Sequence, residues 1–480
     1  MNEQRLVQVI EEVIREFKAN KSSSVTAPGS EPLYTGGGST NGIFNDIDSA
    51  IKAARSAFEN YKKIPLEKKH KIIEAIRVQS RRYARELAQE AHSETGFGNV
   101  ECKYNKNILV ADKTPGPEIL EPTAYSGDHG LTVVERASYG VIGSITPSTN
   151  PTATIINNAI SMLSGGNTVV FNVHPRAKRV SVKTISLLNQ TITSAGGPNN
   201  LITCVAEPTI ESAQYLMQSD GIDLLLVTGG PGVVNAAMSS GKRAICAGPG
   251  NPPVVVDETA ESGKAGRDII NGASFDNNLP CTCEKEVFVV RQAADSLKKA
   301  MLQAGAYELS GEQIGRLENL IFKEKGTEWG HALMQPELIG QRASLILSKL
   351  GIQAGNDISM IIFETSAGHP LVWTEQMMPV LPIVRVQNFD EALELSIKAE
   401  QGFLHSACIH SMHLPHLSRM AKEMNTSMFV KNGPSYSALG FLSEGYTSFS
   451  IGTFTREGLT SARSFTWERR CVLVDHIRIV

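Results

Sequence analysis

The sequence lacks the long apolar runs and the one-sided charge that would direct it to a membrane or to nucleic acid. None of its apolar stretches approaches the roughly 20 residues that a helix needs to cross a bilayer. The formal net charge is -3 over 480 residues, so no overall field gathers nucleic acid or anionic lipid. The first residues include acidic side chains and no apolar signal core. We therefore expect a cytoplasmic protein of two or three domains.

The chain also lacks a disulfide framework, because its seven cysteines are odd in number and scattered. A reducing compartment is the simpler interpretation. Cys281 and Cys283 form a C-x-C pair, but no other Cys or His with metal-ligand spacing lies near them, and we predict no metal site. Five cysteines in apolar or helical settings are expected to be inert core residues: Cys102, Cys204, Cys246, Cys408 and Cys471.

The N-terminal segment looks separate from the rest of the chain. Residues 1–18 carry apolar side chains at helical spacing and predict an amphipathic helix, and residues 19–42, rich in Ser, Gly and Pro, predict a flexible linker. The helix could dock on its own protein. A membrane surface suits it less, because its polar face is mainly acidic. The long linker favours a third interpretation, a docking peptide for a larger assembly.

The body of the chain has the pattern of an α/β protein. Residues 45–105 are helical in pattern, and from Ser138 onward short Val/Ile-rich runs alternate with helical segments. This alternation predicts parallel sheets covered by helices. We expect two Rossmann-type α/β domains with a cleft between them, a nucleotide-binding domain at 43–247 and a catalytic domain at 248–445.

The usual G-x-G-x-x-G dinucleotide fingerprint is absent. Instead, the sequence VTGGPGVV places Thr228, Gly229 and Gly230 between a predicted strand and a predicted helix. The start of a helix can offer backbone N–H groups to a phosphate. The two glycines could equally mark only a tight turn.

Four separated stretches together resemble the aldehyde dehydrogenase superfamily: ITPSTNP (145–151), VTGG (227–230), NNLPC (277–281) and TEQMMPVLPIV (374–384). The resemblance extends from about residue 41 to residue 480. Other segments, NPPVVVDETA, GASFDNN, VKNGP and RRCVLVD among them, are similar to the CoA-acylating branch, the acetaldehyde and propionaldehyde dehydrogenases of bacterial microcompartments. The resemblance implies a small β element for oligomerisation, made of a hairpin at 123–138 and the segment 446–480, and a dimer or tetramer in which the C-terminal strand crosses a neighbouring subunit.

By this resemblance Cys281 is the nucleophile, and its thiolate is the reactive form. The Asn150 side chain and the N–H of Cys281 would bind the oxyanion that forms on attack. His405 could be the base that takes the proton, or it could be structural. On a predicted strand Cys283 would face the same side as Cys281, and we interpret it as a small packing residue.

The resemblance also implies cofactor-binding residues for NAD. They are Thr146, Pro147, His174, Pro175, Thr228, Gly229, Gly230 and Glu375. Glu375 would hold the nicotinamide ribose, although it could also be a charge at a helix start. Asn172 stands where hydrolytic relatives use a lysine.

The fate of the acyl-enzyme is predicted from an absence. The segment from Ala244 to Val256 contains no carboxylate, whereas hydrolytic relatives place a glutamate there to activate water. The thiol of coenzyme A should then take the acyl group from a short aldehyde. By resemblance, residues 1–18 would direct the enzyme into a microcompartment shell. Three alternatives stay open: a hydrolytic aldehyde dehydrogenase, a non-catalytic cargo or scaffold protein, and a cysteine hydrolase.

Overall fold

The computed structural model describes residues 41–355 and 357–480. The predicted helix 1–18 and all but the last two residues of the predicted linker lie outside the described residues. In the part of the chain that is described, no helix is long and apolar enough to span a membrane.

The strands are numbered in chain order. They are β1 Ile43–Phe44, β2 Thr123–Gly127, β3 Gly130–Ser138, β4 Val141–Ile145, β5 Thr168–Asn172, β6 Ile202–Val205, β7 Leu224–Thr228, β8 Ala244–Ala247, β9 Pro253–Val256, β10 Glu286–Val290, β11 Ala306–Glu308, β12 Phe322–Glu324, β13 Leu333–Met334, β14 Met360–Thr365, β15 Val380–Val386, β16 Ser406–His410, β17 Met428–Lys431, β18 Ile451–Gly452, β19 Gly458–Leu459 and β20 Thr466–Val474. The α-helices are Ile47–Tyr61, Leu66–Thr95, Val100–Lys113, Pro151–Ser164, Lys178–Ser194, Ile210–Gln218, Pro231–Met238, Ser262–Ser274, Arg291–Gln303, Gly311–Ile321, Ala343–Lys349, Phe389–Glu400 and Leu414–Met424.

The first sheet is parallel, with strand order β1-β6-β5-β4-β7-β8. Its central strands read as continuous apolar runs because helices cover both faces. In β5, Val169 and Phe171 enter the core on one face while Val170 enters the core on the other.

The second sheet is also parallel, with order β11-β14-β15-β10-β9-β16-β17. Strand β10 is buried on both faces in the same way, with Val287 and Val289 in one core and Phe288 and Val290 in the other. The predicted fold class, α/β with parallel sheets, is confirmed. The domain limits stay a prediction.

A small antiparallel sheet has the order β2-β3-β20. Strands β2 and β3 form the hairpin predicted at 123–138. The C-terminal strand β20 pairs along its whole length with β3 of the same chain. That this strand crosses a neighbouring subunit stays a prediction. Cys471 lies exposed on β20. The prediction that it is a core residue is wrong, because the outer strand of this sheet is uncovered.

Candidate active site

The site residues lie at the carboxyl ends of the strands in the first sheet and at the amino ends of the strands in the second. In the first sheet, all the residues predicted to bind the cofactor except Glu375 lie at the carboxyl ends of β4, β5 and β7, three adjacent strands. In the second sheet, Glu375, Cys281, Gly250 and His405 precede the amino ends of the adjacent strands β15, β10, β9 and β16. Parallel pairing therefore brings four segments that are distant in sequence to one edge.

Cys281 and His405 are in direct contact. The Nε2 atom of His405 lies 3.1 Å from the Sγ atom of Cys281. The His405 ring is held on its other side by the Ser406 hydroxyl, 3.1 Å from Nδ1. The His405 backbone N–H donates to Glu400 at 2.8 Å. The imidazole is buried and its position is therefore well fixed.

The surroundings keep both members of this pair neutral. Burial, reinforced by the nearby Glu375 carboxylate, raises the pKa of Cys281 to about 12. Burial, together with the charge of Lys285, lowers the pKa of His405 to about 4. At neutral pH the pair is thus a thiol facing an uncharged imidazole. A thiol in this state would give up its proton to His405 only as it attacks.

The loop before Cys281 has an unusual backbone. Asp276, Asn277 and Asn278 all adopt the left-handed conformation, with φ of 48°, 59° and 64°. Asn and Asp tolerate this region better than other side chains. The buried Lys285 fixes the loop, because its ammonium donates to the Asn278 carbonyl at 2.8 Å and to the Asn278 Oδ1 atom at 2.6 Å.

Cys283 lies outside the strands, and the prediction that it lies on a strand is wrong. The backbone N–H of Cys283 donates to the Pro280 carbonyl at 3.1 Å, which closes a turn, and β10 begins only at Glu286. The alternation of a strand therefore does not apply to the two cysteines. The Cys283 thiol is buried and points to the Phe275 carbonyl at 3.6 Å, a packing role like the one predicted.

Gly250 brings the segment without a carboxylate against the reactive pair. A Cβ atom on Gly250 would lie 2.8 Å from the Cys281 carbonyl oxygen and 2.9 Å from Cγ of His405. Only a residue without a side chain fits at this distance.

Glu375 comes close to the same point. Its Oε1 atom accepts from the Gly250 N–H at 3.4 Å, and burial raises its pKa. It lies between the 3₁₀ turn Pro370–Val372 and β15, so the alternative that it is a helix-start charge is wrong.

Asn150 immediately precedes the helix Pro151–Ser164. Its Oδ1 atom accepts from Lys106, and its Nδ2 atom lies 3.4 Å from the Thr149 hydroxyl. Among the described residues no hydrogen bond joins Asn150 to Cys281 directly. Lys106 links them indirectly, because it also donates to Asp276, which lies on the loop before Cys281.

The first-sheet edge has features that fit a bound dinucleotide. The Thr146 hydroxyl is buried and finds no partner among the described residues. A Cβ atom on Gly230 would meet nothing within 4 Å, so the start of the helix Pro231–Met238 is open to a close approach. The Gly229 N–H, in contrast, is occupied by the Ala247 carbonyl at 3.1 Å. Of the two glycines, Gly230 is therefore the more accessible, and its contact with a phosphate stays a prediction.

The neighbouring strand end carries His174 and Pro175. Burial lowers the pKa of His174 to about 4, and its Nδ1 atom accepts from the Arg176 N–H at 3.1 Å. Pro175 is exposed on the same turn. The Asn172 side chain is engaged with Ser212 at 2.5 Å, inside the protein. Their contact with the adenosine half of NAD stays a prediction.

Sequence reasoning missed four residues that shape the site: Lys106, Asp276, Lys285 and Gly250. None belongs to a motif with a recognised spacing, and their partners are distant in sequence. The run Asp-Asn-Asn was the one available signal, because these residues favour left-handed backbone.

The two parallel sheets and the paired thiol and imidazole define the class of the protein: an α/β protein with a buried cysteine–histidine pair, near a sheet edge where a dinucleotide is predicted to bind. Comparison with known proteins identifies the family. A model of the aldehyde dehydrogenase family matches residues 37–460. The chain therefore belongs to the aldehyde dehydrogenase family.

Individual relatives lie in the acylating part of this family. The acetaldehyde dehydrogenase (acetylating) EutE of Escherichia coli K12 is 44% identical over 481 residues, covering 100% of both chains. A propionaldehyde dehydrogenase from the Clostridium phytofermentans fucose utilisation bacterial microcompartment is 48% identical, with a TM-score of 0.88 over 92% of this chain and 100% of the other. A Rhodopseudomonas palustris propionaldehyde dehydrogenase, solved with bound CoA and an acylated cysteine, is 44% identical, with a TM-score of 0.88 over 91% and 99%.

Proposed function

We propose that the protein is a CoA-acylating aldehyde dehydrogenase that oxidises acetaldehyde, propionaldehyde or a similar short aldehyde to its acyl-CoA. One observation carries the proposal. The segment that packs on the Cys281–His405 pair through Gly250 contains no carboxylate from Ala244 to Val256. The relatives named acetylating and propionaldehyde dehydrogenases, one of them solved with CoA and an acylated cysteine, support the same reaction.

The first half-reaction uses the neutral pair. As the Cys281 sulfur bonds to the aldehyde carbon, the thiol proton passes to Nε2 of His405, and the carbonyl oxygen becomes an oxyanion. The Asn150 amide and the Cys281 N–H are the donors that we assign to it. NAD, when bound at the first-sheet edge, supplies the acceptor for the hydride of the aldehyde carbon. The product on the enzyme is a thioester of Cys281.

The second half-reaction transfers the acyl group. The sulfur of CoA attacks the thioester carbon, the bond to Cys281 breaks, and the leaving thiolate recovers a proton through His405. Water needs a strong base such as a carboxylate to attack the thioester. The CoA thiol needs it less, because a thiol is more acidic and more nucleophilic than water. A site without a base for water is thus suited to CoA.

A hydrolytic aldehyde dehydrogenase is the second candidate, and Glu375 is the observation that favours it. Its carboxylate approaches Gly250 and raises the pKa of Cys281, so it is near enough to the acyl-enzyme to be considered as a base for water. The role of holding the nicotinamide ribose competes with this one. The variant Glu375→Gln distinguishes the two roles, because loss of a ribose contact raises KM for NAD.

The names of its relatives support a proposal for where the enzyme works. We propose that it works inside a bacterial microcompartment, that residues 1–18 bind a shell or core protein, and that it forms a dimer or tetramer through the sheet β2-β3-β20. The relative from the fucose utilisation microcompartment supports this location.

The test follows NADH absorbance with propionaldehyde and NAD, with and without CoA, for the wild type and Cys281→Ala. We expect sustained turnover only with CoA and none in the variant. Steady turnover of the wild type without CoA would favour the hydrolytic alternative. Turnover that survives Cys281→Ala would refute the nucleophile.

A further inference from the structure

Lys106 lies at the centre of a buried charged cluster that the mechanism does not use. The Lys106 ammonium donates to Oδ1 of Asn150 and to Oδ2 of Asp276. Lys103, one helical turn earlier, donates to the same Oδ2 atom at 3.3 Å and to the Thr149 carbonyl at 3.3 Å. Each lysine is 3% exposed and Asp276 is 0% exposed. Two buried lysines thus share one carboxylate beside the predicted oxyanion donor.

The contact with Lys106 determines which way the Asn150 amide points. An asparagine amide can rotate by half a turn, which exchanges its acceptor oxygen and its donor nitrogen. A lysine ammonium only donates, so the oxygen must face Lys106. The amide N–H groups then face the opposite side. The rotated amide would place its own donors against a buried cation.

Asp276 fixes Lys106 and also belongs to the loop of the nucleophile. Its Oδ1 atom accepts from the Asn99 N–H at 2.7 Å. Gly98 leaves room for the carboxylate, since a Cβ atom there would lie 1.9 Å from the same oxygen. Although burial opposes it, the two lysines lower the pKa of Asp276. One ionised carboxylate thus ties the Cys281 loop to the lysine that orients Asn150.

We propose that Lys106 is a positioning residue, which keeps the Asn150 amide with its N–H donors turned toward the oxyanion that forms on Cys281. The proposal rests on the proposed function, in which Asn150 is an oxyanion donor. Lys103 donates to the Thr149 carbonyl and to Asp276. Among the described residues it makes no hydrogen bond to the Asn150 side chain, and we do not assign it this role.

A double-mutant cycle on the first half-reaction tests the proposal. The measured quantity is the rate of the NADH burst with propionaldehyde and NAD in the absence of CoA. Lys106→Met should slow the burst by roughly 10²-fold, comparable to the loss of one oxyanion donor. In the Asn150→Ala background the same substitution should slow it by no more than about threefold, because there is no amide left to orient.

Lys103→Met is the matched control, since it removes an equally buried lysine bound to the same carboxylate. We expect it to slow the burst by less than about fivefold. Equal losses for the two lysine variants, or an undiminished effect of Lys106→Met in the Asn150→Ala background, would overturn the proposal. Should Lys106→Met not fold, Asp276→Asn replaces it in the cycle. Its loss should be larger when Asn150 is present than in the Asn150→Ala background, and equal losses would overturn the proposal.

The burst comparison is independent of the fate of the acyl-enzyme. A hydrolytic enzyme would reveal itself by steady turnover of the wild type without CoA, and the cycle would then use that steady rate. Failure of the proposed function and failure of the role of Lys106 therefore give different results.

Discussion

His405→Asn is the substitution with the largest expected effect on the chemistry of Cys281. With a pKa of about 12, only roughly one Cys281 thiol in 10⁴ to 10⁵ is ionised at pH 7.5, so attack depends on a base within reach. His405 is the base in contact, at 3.1 Å. A positioned general base contributes about 10²- to 10⁴-fold, and we expect the NADH burst to slow by that factor.

The pH dependence of the wild type gives the prediction its sign. Because the pKa of His405 is lowered to about 4, the imidazole is already in its basic form at pH 5.5. The burst rate should therefore stay nearly constant between pH 5.5 and 8. In His405→Asn the rate should instead rise about tenfold per pH unit, following the fraction of free thiolate.

The assay is stopped-flow NADH absorbance, with alkylation of Cys281 by iodoacetamide as a readout that needs no cofactor. His410→Asn is the matched control, because His410 is a buried imidazole on β16, the strand that follows His405 directly. A wild-type rate that falls with a midpoint near pH 6.5 would refute the neutral pair. Equal losses in the two asparagine variants would refute the role of His405 as the base.

Three further predictions concern packing and acid stability. Gly250→Ala should slow alkylation of the nucleophile at least tenfold, measured with iodoacetamide, because the new methyl group overlaps its backbone. Gly272→Ala places a Cβ atom 2.2 Å from the Glu284 carboxylate and should lower the free energy of unfolding in urea by about 1–3 kcal/mol. Gly315→Ala, which meets nothing within 4 Å, should raise it by up to about 1 kcal/mol. Burial lowers the pKa of His410 to about 4, so the unfolded chain binds the proton first and stability falls as the pH drops below about 6.5. His410→Asn should reduce the stability lost between pH 7 and pH 5 by about 2 kcal/mol; an unchanged loss would contradict this account.

The sequence predicts the fold well because burial on both faces leaves a strong signal. Strands such as β5 and β10 are rich in apolar residues and buried along their whole length. The prediction of a strand at Cys283 is wrong because the apolar residues Val287–Val290 mark a strand that begins only after Lys285. Nothing in the sequence shows that this strand does not reach back to the cysteine. The exposure of Cys471 could not be predicted either, because the sequence of β20 does not show whether another element covers that strand.

The site was predictable only where residues sit in recognisable motifs. Cys281 and Asn150 belong to such motifs, whereas the 3.1 Å contact of His405 with Cys281 depends on the order of β10, β9 and β16. The roles of Lys106 and Asp276 depend on how the helix Val100–Lys113 meets the loop that precedes β10. No local pattern carries that information, because the contact joins residues 170 positions apart.

The central claim is an acyl group on Cys281 that waits for CoA, and mass spectrometry tests it most directly. The wild type is incubated with propionaldehyde and NAD without CoA, digested, and the Cys281 peptide is measured before and after CoA is added. We predict that this peptide carries one propionyl group, which is stable in buffer and leaves as propionyl-CoA on addition of CoA. A Cys281 peptide that stays unmodified while NADH forms, or a propionyl group that is lost to water as free propionate without CoA, would contradict the account.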